Sequence, residues 1–371
     1  MAGTFWVNEI DLDADQNKAV QSMAESDSFL VVGPAGSGKT NVLLLRAKWY
    51  LLMSISDVKI ITFTSSLKHF IQLGCDQYGL PNQIATTCIR FFSDLLNEYG
   101  ISYENTGDFE LDREMLAGKT LSLINSKNIE NIHDALLVDE CQDLMDTELL
   151  ILRKLTMRLV LVADTRQSIY KTTHSPGLLE KLVDNKIITL KYHYRSGLKL
   201  CTVADAILKD SANFLPVRKE CKYDEVTKPS SVSINECESF ADQVSIILSK
   251  LQSQIDLYPG EYIGVLFPKR EQQQLFKEAF ENSGIDSSTI IIETMHGAKG
   301  LEFRSVHIAG CEALYRMGFT QKRLIYTAIL RGKTAAAIYV SGNLPGYLDS
   351  AIAQLSPPKS APLFGKLFSG K

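Results

Sequence analysis

The segment Gly33-Pro34-Ala35-Gly36-Ser37-Gly38-Lys39-Thr40 follows the apolar run Phe29-Leu30-Val31-Val32 and precedes Asn41-Val42-Leu43-Leu44-Leu45-Arg46-Ala47-Lys48. A strand, a glycine-rich turn and a helix in this order fit the G-x-x-x-x-G-K-[ST] phosphate-loop pattern and commit the chain to an α/β unit. Glycines let successive backbone N–H groups turn inward around phosphate oxygens. A helix N-terminus then faces the anion with its positive end. In that arrangement Lys39 reaches the β- and γ-phosphates and the Thr40 hydroxyl ligates Mg²⁺. Gly33, Gly36, Ser37, Gly38, Lys39 and Thr40 are thus the expected nucleotide contacts, with ATP and Mg²⁺ as the expected ligands.

Short apolar runs alternate with helical segments along the rest of the chain. Residues 31–32, 59–63, 135–138 and 159–163 form a first set of strand-like runs. Residues 187–190, 231–234, 263–267, 289–293, 306–309 and 335–340 form a second. This alternation predicts parallel sheets covered by helices, with functional residues at the C-terminal ends of strands. The 371 residues have room for two domains, expected at 1–189 and 190–345. Residues 346–371 are set apart as a tail. Its Pro-rich, basic and aromatic-spotted end reads either as a frayed terminus or as a partner-binding peptide.

The remaining composition bounds the partners. No apolar run reaches the roughly 18 residues of a membrane span, and the first residues lack the pattern of a signal peptide. Seven cysteines without a C-x-x-C pair argue for a reducing cytoplasm and against a disulfide framework or a zinc site. A net charge of −4 gives no overall basic field, so any nucleic-acid contact must be a local groove.

Leu136-Leu137-Val138-Asp139-Glu140 is an apolar strand running into paired acids. An ATPase needs one carboxylate on the Mg²⁺ shell and another to polarise the attacking water. Asp139 suits the first role and Glu140 the second. Gln142 and Asp143 follow where they would sense the γ-phosphate or tie neighbouring loops together.

These motifs, with those that follow them, resemble a superfamily 1 helicase of the UvrD/Rep/PcrA type, in an order running from Gln16 to Arg331. Leu12–Val20 is similar to that family's glutamine motif, in which an amide, here Gln16, reads adenine. Ile60–Ser66 looks like its first DNA-contact motif, with Phe63 and Thr64 as contacts. Phe63 reads equally as a base-stacking ring or as a buried strand aromatic. Thr86 lies in a weaker match at residues 86–92. Residues 162–170 resemble the G-D-x-x-Q-S-I-Y coupling motif, which would put Gln167 on the γ-phosphate. Thr172 stands where the family usually has a base-stacking tryptophan.

Tyr192–Gly197 resembles the N-Y-R-S motif. The resemblance places Tyr194 over adenine and Arg195 on the γ-phosphate, a task suited to a planar, permanently charged donor. Glu293–Phe303 is similar to T-x-H-x-x-K-G-L-E-F. It implies Thr294 and His296 on the nucleic-acid backbone, and Gly300 and Glu302 near the nucleotide. Arg323–Lys333 supplies Arg331 as a second γ-phosphate arginine. Pro268 replaces a phosphate-contacting arginine of the family, with Lys269 or Arg270 as stand-ins.

The resemblance implies two RecA-like parallel-sheet domains in tandem with an ATP site in the cleft between them. It implies a cytoplasmic ATP hydrolase that moves on single-stranded DNA, 3′ to 5′. Nothing in the residues separates DNA from RNA as the track. The intervals 92–134 and 198–288 leave space for little beyond core elements, so a bare motor or an ATP-gated switch served by a protein partner stands beside the full helicase.

Overall fold

A computed structural model describes residues 6–103, 105–164, 174–209, 216–317 and 321–355. Gln167, Thr172 and the end of the chain from 356 lie outside the described residues.

Six parallel strands form the first sheet: β1 (Phe29–Val32), β2 (Val58–Thr62), β3 (Ala85–Thr87), β4 (His133–Val138), β5 (Thr156–Ala163) and β6 (Ile187–Thr189). Their spatial order is β3-β2-β4-β5-β1-β6. Parallel strands buried on both faces read as continuous apolar runs, as β4 and β5 do. The alternation of the pleat assigns each residue to a face. After the short helix α1 (Ala14–Asn17), the helices α2 (Lys39–Leu52) and α3 (Ser65–Tyr78) pack with Phe29, Val31, Ile60, Leu137, Val160 and Val162. Leu30, Ile61, Leu136, Val138, Leu159 and Leu161 pack on the other face, with α4 (Cys88–Glu98), α5 (Phe109–Lys127) and α6 (Asp146–Leu155).

Five parallel strands form the second sheet, in the order β7-β11-β10-β8-β9. These are β7 (Ser231–Cys237), β8 (Ile263–Phe267), β9 (Ile290–Thr294), β10 (Phe303–Ile308) and β11 (Gly332–Ser341). Its two faces are covered by helices as well. Val265, Phe267 and Tyr339 pack with residues of the helices Phe240–Leu257 and Arg270–Glu281. Ile308, Ile338 and Val340 pack with the helices Leu198–Ile207, Gln321–Ile329 and Gly346–Ile352. The chain is therefore an α/β protein with two tandem parallel-sheet lobes of RecA-like kind.

Two points differ from the sequence reading. The run at 187–190, which the sequence places with the second set, instead forms β6, pairs with β1 and closes the first sheet. Its residues are mostly exposed edge positions, so hydrophobicity gave little signal for either sheet. Residues 346–355, grouped with the tail, include a helix whose Leu348 and Ala351 are buried.

Candidate nucleotide site

Strands β4, β5 and β1 are neighbours, so the loops after Val138, Ala163 and Val32 converge at one edge of the first sheet. The phosphate loop leaves β1 there and turns through left-handed backbone at Gly36 (φ 76°) and Gly38 (φ 81°). Lys39 Nζ donates to the carbonyls of Gly33 and Pro34 at 2.9 Å and lies 3.8 Å from Asp164 Oδ2. Thr40 Oγ1 donates to Asp139 Oδ2 at 2.8 Å. Adjacent ligands of a Mg²⁺ octahedron are about 2.9 Å apart at bond lengths of about 2.0–2.1 Å. This hydroxyl–carboxylate pair therefore fits as two neighbouring Mg²⁺ ligands.

Glu140 takes a left-handed conformation (φ 52°) that few non-glycine residues adopt, and it is almost wholly buried. Gln142 Nε2 donates to Glu140 Oε2 at 2.5 Å, while Gln142 Oε1 accepts from the Asp164 N–H at 3.1 Å. Gln142 thus ties the β4 loop to the β5 loop. Burial dominates the carboxyl of Asp139, and with the adjacent Glu140 charge it pushes Asp139 up to about 6. Burial also raises Glu140, but Lys299, Arg331 and Lys39 together outweigh it and hold Glu140 below the ordinary value. The two acids differ in environment, as distinct roles require.

The second lobe meets this edge. A cleft is lined by Gly36, Gly38, Lys39, Thr40 and Glu140 from the first lobe. Arg195, Gly300, Glu302 and Arg331 line it from the other side. Gly36 has no room for a side chain, because a Cβ there would stand 2.6 Å from the Arg195 Cβ. The Gly36 carbonyl accepts from the Tyr194 N–H at 3.0 Å, so the segment carrying Arg195 is stitched onto the phosphate loop. Arg195 pairs with Glu302 and donates to the Leu330 carbonyl at 3.4 Å. Gly300, in left-handed backbone at φ 85°, lies against Leu67 of α3, where a Cβ would come within 2.5 Å of the leucine.

Arg331 is buried, and burial together with the nearby Arg195 cation pushes its guanidinium below the ordinary value. Across the lobes, Lys299 Nζ is fully buried against Asp143, at 2.7 Å and 2.6 Å from the two oxygens. Burial nonetheless pushes Asp143 up to about 6.

Gln16 donates from Nε2 to the Ser37 carbonyl at 2.9 Å, and its Oε1 accepts from the Asp13 N–H at 3.0 Å. Tyr194 OH donates to Asp13 Oδ2 at 2.7 Å, so Gln16 and Tyr194 share one neighbourhood beside the loop. Among the described residues Ser37 Oγ and Arg195 Nε are buried without a hydrogen-bond partner, polar capacity suited to a phosphorylated ligand.

The first sheet follows the expected rule of functional loops at strand C-termini, but the second does not. Glu302 immediately precedes β10 and Arg331 immediately precedes β11, so both stand at strand N-terminal ends. The parallel register pairing Phe303 with Gly332 places them side by side. Lys269 and Arg270 are not among the cleft-lining residues.

The residues expected on nucleic acid have mixed positions. Phe63 is buried, with the Arg113 guanidinium 4.6 Å from its ring centroid and Phe109 packed edge-on. In this arrangement its ring is turned to the interior. Thr64 caps α3, accepting from the Leu67 N–H at 3.1 Å, and Thr86 lies half-exposed on β3. Thr294 closes β9 and accepts from the Gly297 N–H at 3.0 Å. Burial, then Lys299, lowers the His296 imidazole below its ordinary value, favouring the neutral ring.

Asp164 and Lys299 were not singled out from the sequence. Asp164 is one acid in a quoted motif, and its relation to Lys39 depends on β5 lying beside β1. Trp6 and Phe70 also line the cleft, 4.8 Å apart between ring centroids, without any motif to mark them.

Residues 16–173 match the family described as an AAA domain. This is a P-loop NTPase domain of the kind found in UvrD/Rep-like superfamily 1 helicases. No match to a curated protein was found. The matched segment holds the phosphate loop, Asp139, Glu140 and Asp164. Arg195, Glu302 and Arg331 lie beyond it. Among the described residues no helix is long and apolar enough to cross a membrane.

Proposed function

We propose that the chain is an ATP-dependent translocase on single-stranded DNA of the UvrD-like class, moving 3′ to 5′, with weak unaided duplex unwinding. The carrying observation is that Arg195, Glu302 and Arg331 of one lobe line the same cleft as Lys39, Thr40 and Glu140 of the other. Lys39 and the loop N–H groups hold the β- and γ-phosphates. Thr40 and Asp139 would hold Mg²⁺, which neutralises charge on the phosphates. Glu140, kept ionised by its cationic neighbours, accepts a proton from the attacking water. Arg195 and Arg331 stabilise charge building on the transferred group. Gln167 is proposed to sense the γ-phosphate.

A triphosphate that contacts both walls binds the closed arrangement more tightly, and cleavage removes that preference. Relative motion of the lobes then becomes stepping if each grips the strand. Thr64, Thr86, Thr294 and His296 are the proposed gripping residues, at the ends of β2, β3 and β9. Polarity rests on resemblance alone.

Weak unwinding is favoured by the short connections. Between β3 and β4 the helices are α4 and α5, and among the described residues between β6 and β8 there is no separate accessory domain. A partner-dependent ATP switch remains the second reading. Steady-state ATPase with single-stranded DNA, single-stranded RNA and duplex separates these readings. Stimulation by single-stranded DNA is expected. Stimulation by RNA alone would reassign the track, and none by any polymer would leave the switch.

A further inference from the structure

His193, Cys201 and Cys221 come from three separate parts of the chain, yet each offers a ligand atom within 4.8 Å of the others. The fold brings them together through backbone pairing. His193 N–H donates to the Glu220 carbonyl at 3.1 Å and the Lys222 N–H donates to the His193 carbonyl at 2.9 Å. This short parallel bridge sets Cys221 beside His193, and the helix Leu198–Ile207 carries Cys201 up to both. The sequence reading excluded a zinc site because no C-x-x-C pair exists. Sequence spacing does not register donors that converge by tertiary pairing.

The sulfur–nitrogen spacing fits tetrahedral coordination. With Zn–S of about 2.3 Å and Zn–N of about 2.0 Å, neighbouring sulfur and nitrogen donors lie about 3.5 Å apart. Cys201 Sγ is 3.5 Å from His193 Nε2, which in the metal-free chain donates to the Val217 carbonyl at 3.0 Å and would exchange that hydrogen bond for the ion as its proton moves to Nδ1. The Ser196 carbonyl oxygen borders the same space, 3.3 Å from Cys201 Sγ and 3.5 Å from Cys221 Sγ. His193 is fully buried, and among the described residues its Nδ1 has no hydrogen-bond partner. Cys221 is only half-buried, which provides an entry path.

We propose that His193, Cys201 and Cys221 form a binding site for a thiophilic divalent cation, with Zn²⁺ the best fit. The two thiols lose their protons to solvent on binding. The dication, two thiolates and a neutral imidazole then sum to zero charge, which lowers the cost of burying the ion. The site lies one residue before Tyr194 and two before Arg195. Ser196, whose carbonyl borders it, donates from Oγ to the Leu330 carbonyl beside Arg331. A bound ion would cross-link the segment that presents Arg195 to the nucleotide cleft.

The test uses the full chain, stripped with chelator under reducing conditions and titrated with Co²⁺. One equivalent should give sulfur-to-cobalt charge-transfer absorption that Zn²⁺ abolishes. Zn²⁺ should also raise the melting temperature, as a ligand selective for the native state does. Cys221→Ser, at the more exposed position, should lose most of the charge-transfer band and bind Co²⁺ at least about tenfold more weakly. Asp139→Asn should keep the band, separating this site from the proposed Mg²⁺ ligands. Co²⁺ binding without sulfur absorption, an unchanged band in Cys221→Ser, or no retained Co²⁺ at all would overturn the proposal.

Discussion

Lys299 and Asp143 form a buried ion pair that joins the two lobes, with Nζ 2.6 Å from Oδ2 and both side chains almost fully excluded from solvent. They are 156 residues apart in sequence. Removing one partner leaves a desolvated charge, which costs about 3–5 kcal/mol, whereas replacing both with apolar groups is often near neutral. Lys299→Met should therefore lower stability by about that amount in urea unfolding. Lys299→Met with Asp143→Leu should recover much of it. A loss in the double variant equal to the sum of the losses in Lys299→Met and Asp143→Leu alone would show that the pair is not coupled.

Lys39 and Glu140 separate nucleotide binding from turnover. A charge-assisted hydrogen bond contributes about 1.5–3 kcal/mol, so Lys39→Ala should weaken ATP binding tenfold or more. Glu140→Gln keeps the shape and the hydrogen bond to Gln142 within reach while removing the proton acceptor. It should retain ATP affinity and lower kcat by about 10²–10⁴. Calorimetric binding and steady-state ATPase on the two variants decide this. Undiminished hydrolysis in either variant would reject the assigned site.

Arg195 and Arg331 approach the same cleft from the second lobe. An arginine that stabilises the transferring phosphoryl group contributes about 10³–10⁵ in kcat. Arg195→Ala and Arg331→Ala should each lower kcat by orders of magnitude with smaller changes in KM. Arg331 is the more deeply buried, so its variant also needs a melting curve to establish folding. A loss confined to KM would make both residues ground-state binders.

β1, β2, β4 and β5 of the first sheet and the phosphate loop were legible because these strands are mostly apolar runs that end at polar or glycine-rich turns. β3 was harder, since Ala85-Thr86-Thr87 is three residues long with two hydroxyls. Asp164 could not be ranked among other acids until β5 was known to lie beside β1. Glu302 and Arg331 were found by resemblance, while their place at strand N-terminal ends follows from register and not from local pattern. The histidine–cysteine cluster is invisible in spacing, because it depends on a bridge between residues 193 and 221.

His307 makes the acid stability of the second lobe testable. It is buried in β10, with Nδ1 2.8 Å from the Tyr339 hydroxyl and Nε2 2.8 Å from Gln254 Oε1. Burial, then the nearby Lys250, pushes its imidazole down to about 3 from an ordinary 6.5. Between those values the unfolded chain binds a proton that the native chain refuses. Stability therefore falls as pH drops below about 6.5, by up to about 1.4 kcal/mol per pH unit from this group. His307→Gln has no titrating ring, so its stability should fall less between pH 6.5 and pH 5, by about 2 kcal/mol relative to the parent. Urea midpoints for both proteins at the two pH values measure the difference. Parallel losses would show that His307 takes up its proton without unfolding the lobe.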